Sequence, residues 1–436
     1  MFVYDDLKDF ERQGRCIRVG LVGAGFMGRG IVEVLESTPG MKVVAIADVD
    51  IDRAASCFRA VGLKDFKELR GRGGAPGADL GRERVVTSDA RLIPEMEGLD
   101  FIIEATGIPE VGAQVAYLSI MSGKHVGMLN VETDVTIGWY LSRLARRAGV
   151  VYTVCTGDEP AAIKELCDFA LTLGFKIVAC GKGKNNPLDV GATPETLARK
   201  AKDMGLNPRI LTEFVDGSKT MVEMACVANS VGLDIDRRNM HGPRVEVEQL
   251  AGVFRTRGRG GILEREGVVD YAVGGVAPGV FAVVSHERRI VGDTLRYLKI
   301  GEGPEFLLYR PYHLTNIEVP ISVAHACLYG KPSLATFSAP RTEVITLAKR
   351  DLREGEEIDE IGGFTVYGGI ESFDAAKREN LLPLGLCEGA RLKEDVAKGL
   401  AIRLDQVEVK ESFLLHLRKV QDDLQGDFEG GFDGKG

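Results

Sequence analysis

The hexapeptide Gly23-Ala24-Gly25-Phe26-Met27-Gly28 stands between an apolar, β-rich run ("IRVGLVGA", from Ile17) and a helical pattern ("FMGRGIVEVLE"). A GxGxxG at a strand-to-helix turn limits the possible folds more than any other feature of this chain. Its first glycine permits the tight turn, its second lets a pyrophosphate approach the backbone, and its third lets helix and sheet touch. The helix opened by Phe26 and Met27 then offers free N–H groups and the positive end of its dipole to phosphate. A second strand follows, "KVVAIADVD". Asp48 near its end lies about 20 residues past the motif, where a carboxylate accepts hydrogen bonds from ribose hydroxyls. Arg53, in "DVDIDRAA", is either a solvated helix residue or the partner of a 2′-phosphate, so NAD and NADP both stay candidates.

Short apolar runs continue at "RVVTSD", "LDFIIEATG", "KHVGMLN" and "GVVYTVCTG", separated by helix-like segments. Alternation of this kind predicts βαβ units, and so an α/β fold with a doubly wound parallel sheet. Glu104-Ala105-Thr106-Gly107 closes the fourth strand at the carboxyl edge, where open α/β sheets bind ligands. Ala105, Thr106 and Gly107 are therefore expected on the nicotinamide side, with Asn130 at the end of the fifth strand.

A chain of 436 residues exceeds one ordinary core. Past residue 157 the pattern changes to amphipathic helices, a strand at "FKIVAC", and a glycine-rich stretch from Met240 to Arg296 that reads as short strands and loops. Residues 158–338 are expected to form a central α+β catalytic and dimerisation domain, and residues 339–411 a small β-rich unit. Residues 412–436 read as a partly flexible tail, acidic and glycine-rich from Gln421. The patch "RGRGGAPGADLGRERV" reads as a surface excursion between strands.

The loop "GKGKNNPLD" concentrates cations and amides in a chain whose net charge is −9. At the end of a strand, Lys182 and Lys184 could hold phosphate or carboxylate as point charges, and Asn185 and Asn186 could reach hydroxyl or carbonyl oxygens. A solvated turn is the alternative. "FVDGSKTMVEMA" adds Asp216, Ser218, Lys219 and Glu223 around a turn and the first turns of a helix. Lys219 and Glu223, four apart, share a face and suit an acid/base pair or a surface ion pair, and Ser218 suits substrate contact or a helix cap. "LLYRPYHLTNIEVP" contributes Arg310, whose planar fork could grip a carboxylate or phosphate, and His313, which could relay a proton or stand as a structural histidine.

The acidic balance excludes a global field for nucleic acid or an anionic membrane. The eight cysteines show no metal-ligand spacing and read as thiols of a reducing compartment. "MFVYDDLKDFERQGR" is too charged for a signal peptide, and the most apolar stretch carries two glutamates and a proline, so a cytoplasmic location without a membrane span is expected.

The run from "RVGLVGAGFMGRG" through "EATG", "GKHVGMLNVETDVTIG" and "TGDEPAAIKEL" resembles the homoserine dehydrogenase-like oxidoreductases. "GDEP", "FVDGSKTMVEMA", "LYRPYHL" and "AKRDLREGE" with "ENLLPLGLCEGARLKEDVAKG" look like its SAF-domain subgroup, which includes the 1-deoxy-D-xylulose 5-phosphate reductoisomerase-like enzymes. Homoserine dehydrogenases carry a lysine directly after the asparagine that ends the fifth strand. Here Val131 follows Asn130, which speaks against homoserine. The resemblance implies NADPH-dependent conversion of 1-deoxy-D-xylulose 5-phosphate to 2-C-methyl-D-erythritol 4-phosphate by a homodimer or higher homo-oligomer with a SAF-like C-terminal unit. The alternatives are an NAD(P)-dependent dehydrogenase of another sugar acid, polyol or homoserine-like substrate, and a non-catalytic dinucleotide sensor. Of the divalent-metal requirement in the main reductoisomerase class, only the adjacent acids of Gly157-Asp158-Glu159-Pro160 are visible, so no metal ligand is assigned and metal dependence stays open.

Overall fold

The computed structural model describes residues 3–69 and 83–430, with side chains to residue 425. Most of the "RGRGG" patch lies outside them. The chain divides into two compact units. One comprises residues 1–161, 314–337 and 412–436; the other comprises residues 162–313 and 338–411.

The first unit is built on seven strands: β1 (Ile17–Val22), β2 (Met41–Ala47), β3 (Lys67–Leu69), β4 (Val85–Thr87), β5 (Phe101–Glu104), β6 (His125–Met128) and β7 (Tyr152–Val154). They lie in the order β3-β4-β2-β1-β5-β6-β7, every pairing parallel. Helices cover such a sheet on both faces, so its central strands are apolar throughout instead of alternating. Val19, Leu21, Val43, Ile46, Phe101 and Ile103 are fully buried accordingly. Strand order reverses between β1 and β5, and this switch point is where a doubly wound sheet opens its ligand crevice.

Two later segments complete this unit. Residues 314–337 pair along β7: the Val154 N–H donates to the Leu334 carbonyl at 2.9 Å, and the Thr153 hydroxyl accepts from the Leu334 N–H at 3.0 Å. Within the segment expected as a partly flexible tail, Phe413–Gly430 forms a helix. The Glu110 carboxylate accepts from the first-turn N–H groups of Phe413 and Leu414 at 3.2 and 2.8 Å, the interaction that satisfies orphan donors at a helix start. Leu414, Leu417 and Gln421 are buried, and the Gln421 amide bonds the Thr136 carbonyl at 3.1 Å. A buried helical face outweighs the acidic composition that suggested mobility.

The second unit holds a five-stranded sheet of β8 (Lys176–Lys184), β9 (Asp234–Ile235), β10 (Val268–Val273), β11 (Val280–Ser285) and β12 (Glu305–Arg310), in the order β12-β11-β8-β10-β9. β8 runs parallel to β10 and antiparallel to β11. The glycine-rich stretch thus supplies two central strands. An antiparallel pair, β13 (Thr342–Ala348) with β14 (Val366–Ser372), gives residues 338–411 their β-rich character. Among the described residues, no helix is long and apolar enough to cross a membrane.

Candidate active site

At the switch point Gly23 takes φ +101°, and a Cβ there would lie 2.7 Å from the Ala105 carbonyl. This requirement for glycine brings the ends of β1 and β5 together. Gly28 has no room either, since a Cβ would fall on the Gly23 carbonyl oxygen. Gly25 differs: it takes φ −69°, and its Cβ would meet no atom within 4 Å. No neighbouring atom demands glycine at 25. The space beside it is what a dinucleotide pyrophosphate would fill, so the turn fits the cofactor on its own geometry.

Asp48 closes onto this turn. Its Oδ2 accepts from the Ala24 N–H at 2.8 Å and its Oδ1 from the Asp50 N–H at 2.9 Å, leaving lone pairs for a ribose hydroxyl. Arg53, half exposed, stands 3.8 Å from Asp48 and 3.7 Å from Asp50. Phe26 projects into solvent at the helix start, 76% exposed. Asn130 is fully buried, with both ends of its amide engaged: Oδ1 caps the helix Val131–Ala148 at the Thr133 N–H, and Nδ2 donates to the Ile108 carbonyl at 3.0 Å.

Beside them lies a residue expected at the strand end but given no role of its own. Glu104, the last residue of β5, is fully buried, and burial lifts its carboxyl to about 7 against hydrogen bonds from Thr106. Its Oε1 accepts from the Thr106 N–H at 2.9 Å and from the Thr106 hydroxyl; Oε2 meets no hydrogen-bonding geometry, although the Asn130 amide is adjacent. The only sequence signal was a carboxylate ending an otherwise apolar strand.

In the second unit, the anticipated cation loop is largely strand. β8 extends through Lys184, so residues 181–184 are sheet residues with side chains alternating between faces. Gly181 and Gly183 face one side, where a Cβ would collide with the Asp270 carbonyl oxygen and the Ala277 nitrogen respectively. Lys182 and Lys184 share the other side, and both are buried. The Lys182 ammonium pairs with the Glu223 carboxylate from the helix Ser218–Val231. The Lys184 amine donates to the Phe214 carbonyl, and burial, reinforced by Lys182, holds it down to about 8. Lys219, half buried, lies one turn before Glu223.

Asp216 ends the helix Pro208–Asp216. Its Oδ1 accepts from the Ser218 N–H at 2.8 Å, while Oδ2 lies 2.8 Å from Lys349 Nζ, off the hydrogen-bonding direction. Lys349 also donates to the Ala192 and Gly363 carbonyls at 2.9 and 2.8 Å. The Ser218 hydroxyl accepts from the Gly368 N–H on β14 at 2.8 Å. Asp216 and Ser218 thus tie the 216–218 turn to residues far along the chain, contacts that local sequence could not reveal.

Strand register aligns Arg310 with Val280, and Val280 with Lys182, placing Arg310 two strands, roughly 10 Å, from Lys182 along one row. Arg310 bonds Glu165 at 3.0 Å and stacks over the Tyr312 ring at 4.9 Å. His313, half buried, lies three residues past the β12 end. Asn185 is exposed, and the Asn186 Oδ1 accepts from Lys200 at 2.9 Å. Lys182, Lys184, Asp216, Lys219 and Glu223 therefore gather around one strand end and two helix ends, with the asparagines outside.

These features define a build: a Rossmann unit with unfilled space beside Gly25, followed in the chain by a unit with a buried cluster of lysines and carboxylates. Residues 157–319 match the family described as oxidoreductase DRL, catalytic domain. A glycosyl hydrolase family 109 protein from Streptomyces niveus is 29% identical over 142 residues, 32% of this chain and 26% of its own, so the chain spans about a quarter of that relative. Among solved structures, a homoserine dehydrogenase from Thiobacillus denitrificans is similar at 15% identity and TM-score 0.43, covering 92% of this chain and 99% of its own. A probable dehydrogenase from Thermotoga maritima is similar at 13% identity and TM-score 0.43, covering 72% and 90%.

Proposed function

We propose that the protein is an NAD(P)-dependent oxidoreductase, and more specifically a reductoisomerase-like enzyme that converts 1-deoxy-D-xylulose 5-phosphate to 2-C-methyl-D-erythritol 4-phosphate. The observation that carries the reading is the pair of buried lysines on one face of β8, inside the segment matching an oxidoreductase catalytic domain. Buried cations are costly and are retained where their charge or their proton is used. The bound nicotinamide supplies hydride. Gly25 and the Phe26 helix start would hold its pyrophosphate, and Asp48 would accept from a ribose hydroxyl.

In this reading Lys182, held by Glu223, polarises the substrate carbonyl or meets its phosphate. The Lys184 amine, at about 8, gives up or takes a proton near neutrality. Lys219 is a second proton donor, and Asp216 fixes the turn that presents it. Arg310, in the Lys182 row, receives an anionic group. A second reading, oxidation of an unphosphorylated polyol or sugar acid, draws support from the engagement of both lysines within the protein. Cofactor oxidation assayed with 1-deoxy-D-xylulose 5-phosphate and with unphosphorylated polyols separates the two. Turnover on the phosphorylated ketose, lost in Lys182→Met, is expected. Cofactor binding without turnover on that ketose refutes the reductoisomerase assignment.

A further inference from the structure

At the amino edge of the seven-stranded sheet, opposite the switch point, the first unit holds a cavity of about 490 Å³. Its walls come from the starts of three parallel strands: Ile17 opens β1, Leu99 and Asp100 precede β5, and His125 opens β6. β1 has six residues, so roughly 17–20 Å of strand separates this cavity from the glycine turn.

Three donor groups line it. The guanidinium groups of Arg15 and Arg18 form no ion pair with any described residue. Arg15 lies over the Phe10 ring at 4.1 Å, a contact that holds the cation in place without neutralising it. His125 accepts from the Val151 N–H through Nδ1 at 2.9 Å, and burial keeps the ring below its ordinary value, so the neutral imidazole carries its proton on Nε2 as a third donor. The one carboxylate in the lining, Asp100, accepts from the Arg18 backbone N–H through Oδ2 at 2.7 Å.

In a chain of net charge −9, two arginines without carboxylate partners in one cavity are the local cation cluster that an anionic ligand needs. Their planar forks suit phosphate oxygens. Near pH 7 a phosphate monoester brings about −1.5 to −2 of charge and three acceptor oxygens, one for each donor group, where a carboxylate offers two. The volume falls in the ~300–1,000 Å³ range of organic-ligand sites, and Phe10, Ile17 and Leu99 give it an apolar wall.

We propose that this cavity is a second ligand site, for an organic phosphate monoester, separate from the dinucleotide turn. Cys16 and Cys327, the latter on the helix Val319–Tyr329, also line it, and of the eight cysteines they alone are not fully buried. Alkylation of these thiols in the full-length protein, read peptide by peptide by mass spectrometry, therefore reports occupancy. Ribose 5-phosphate is expected to slow alkylation of both cysteines several-fold and saturably, inorganic phosphate to act more weakly, and ribose to have no effect. Arg15→Gln is expected to raise the half-protecting concentration roughly 10-fold, and adding Arg18→Gln to abolish protection. Both variants should melt and bind reduced cofactor like wild type, because neither guanidinium holds an ionic partner in the fold. Absence of protection by ribose 5-phosphate, equal protection by ribose or inorganic phosphate, or protection that persists in the double variant each overturns the proposal. Protection that saturating NADH removes would place the phosphate at the dinucleotide turn and overturn it as well.

Discussion

Replacing Gly25 by alanine should separate stability from cofactor affinity within one turn. A Cβ at 25 meets no atom within 4 Å, and φ −69° is a conformation alanine adopts without strain. The substitution removes unfolded-chain entropy and should stabilise by ~0.4–1 kcal/mol. The same methyl stands where a pyrophosphate would approach the backbone. Displacing one N–H-to-phosphate hydrogen bond costs ~1.5–3 kcal/mol, roughly a 10- to 150-fold rise in Kd for NADH or NADPH. Gly28→Ala, three residues on, is the contrast. Its Cβ would fall on the Gly23 carbonyl oxygen and 3.0 Å from the carbon, and backbone cannot yield as a side chain can. Overpacking of ~1–3 kcal/mol should lower its melting temperature before affinity is considered. Thermal melts and fluorescence titration of the reduced cofactor read the two effects. A Gly25→Ala protein that binds cofactor like wild type would refute the cradle, whatever its melting temperature.

Three further outcomes are expected. The Glu104 carboxyl, raised from 4.5 to about 7, binds a proton in the folded state that the unfolded chain releases. Its contribution is therefore full below pH 4.5 and lost as pH rises toward 7. Glu104→Gln should flatten that decline and stabilise the protein at pH 8 by up to ~3 kcal/mol in denaturant melts; an unchanged pH profile would remove Glu104 as its source. Lys184 runs the other way: its folded value of about 8 lies below the ordinary 10.5, so the unfolded chain binds more protons and stability should rise from pH 8 toward 10. Lys184→Met should abolish that rise. Lys182→Met removes the cation paired with the buried Glu223 carboxylate and should cost ~3–5 kcal/mol, while adding Glu223→Leu should recover most of it. If the double variant is no more stable than the single one, the two side chains are not energetically coupled.

The first unit was readable because its signals are local. A glycine pattern at a strand-to-helix turn, an acid about 20 residues on and repeated apolar runs specify a parallel sheet without knowledge of long-range contacts. The gathering of Lys182, Lys184, Asp216 and Glu223 was suggested by composition, but the manner of it was not. The "GKGK" run looks like a loop because glycine weakens strands, yet each glycine here answers a backbone approach from a distant residue, Asp270 or Ala277. Lys349 reaches Asp216 from far along the chain, and sequence alone carries no sign of it. Glu104 was visible as a residue but not as a perturbed acid, because desolvation depends on what packs around β5. The helix Phe413–Gly430 was obscured by the acids and glycines that follow Gln421 in the sequence, while its buried face is set by Leu414, Leu417 and Gln421.

The alternation in β8 also limits how that strand can vary over evolution or in the laboratory. Inserting or deleting one residue before Gly181 would turn both lysines toward the crowded backbone and both glycines toward Glu223. Fold and chemistry would fail in the same step. Lineages that alter substrate preference in such a protein must therefore do so in the partners of β8, the helices and turns facing it, while the length of the strand itself is held fixed.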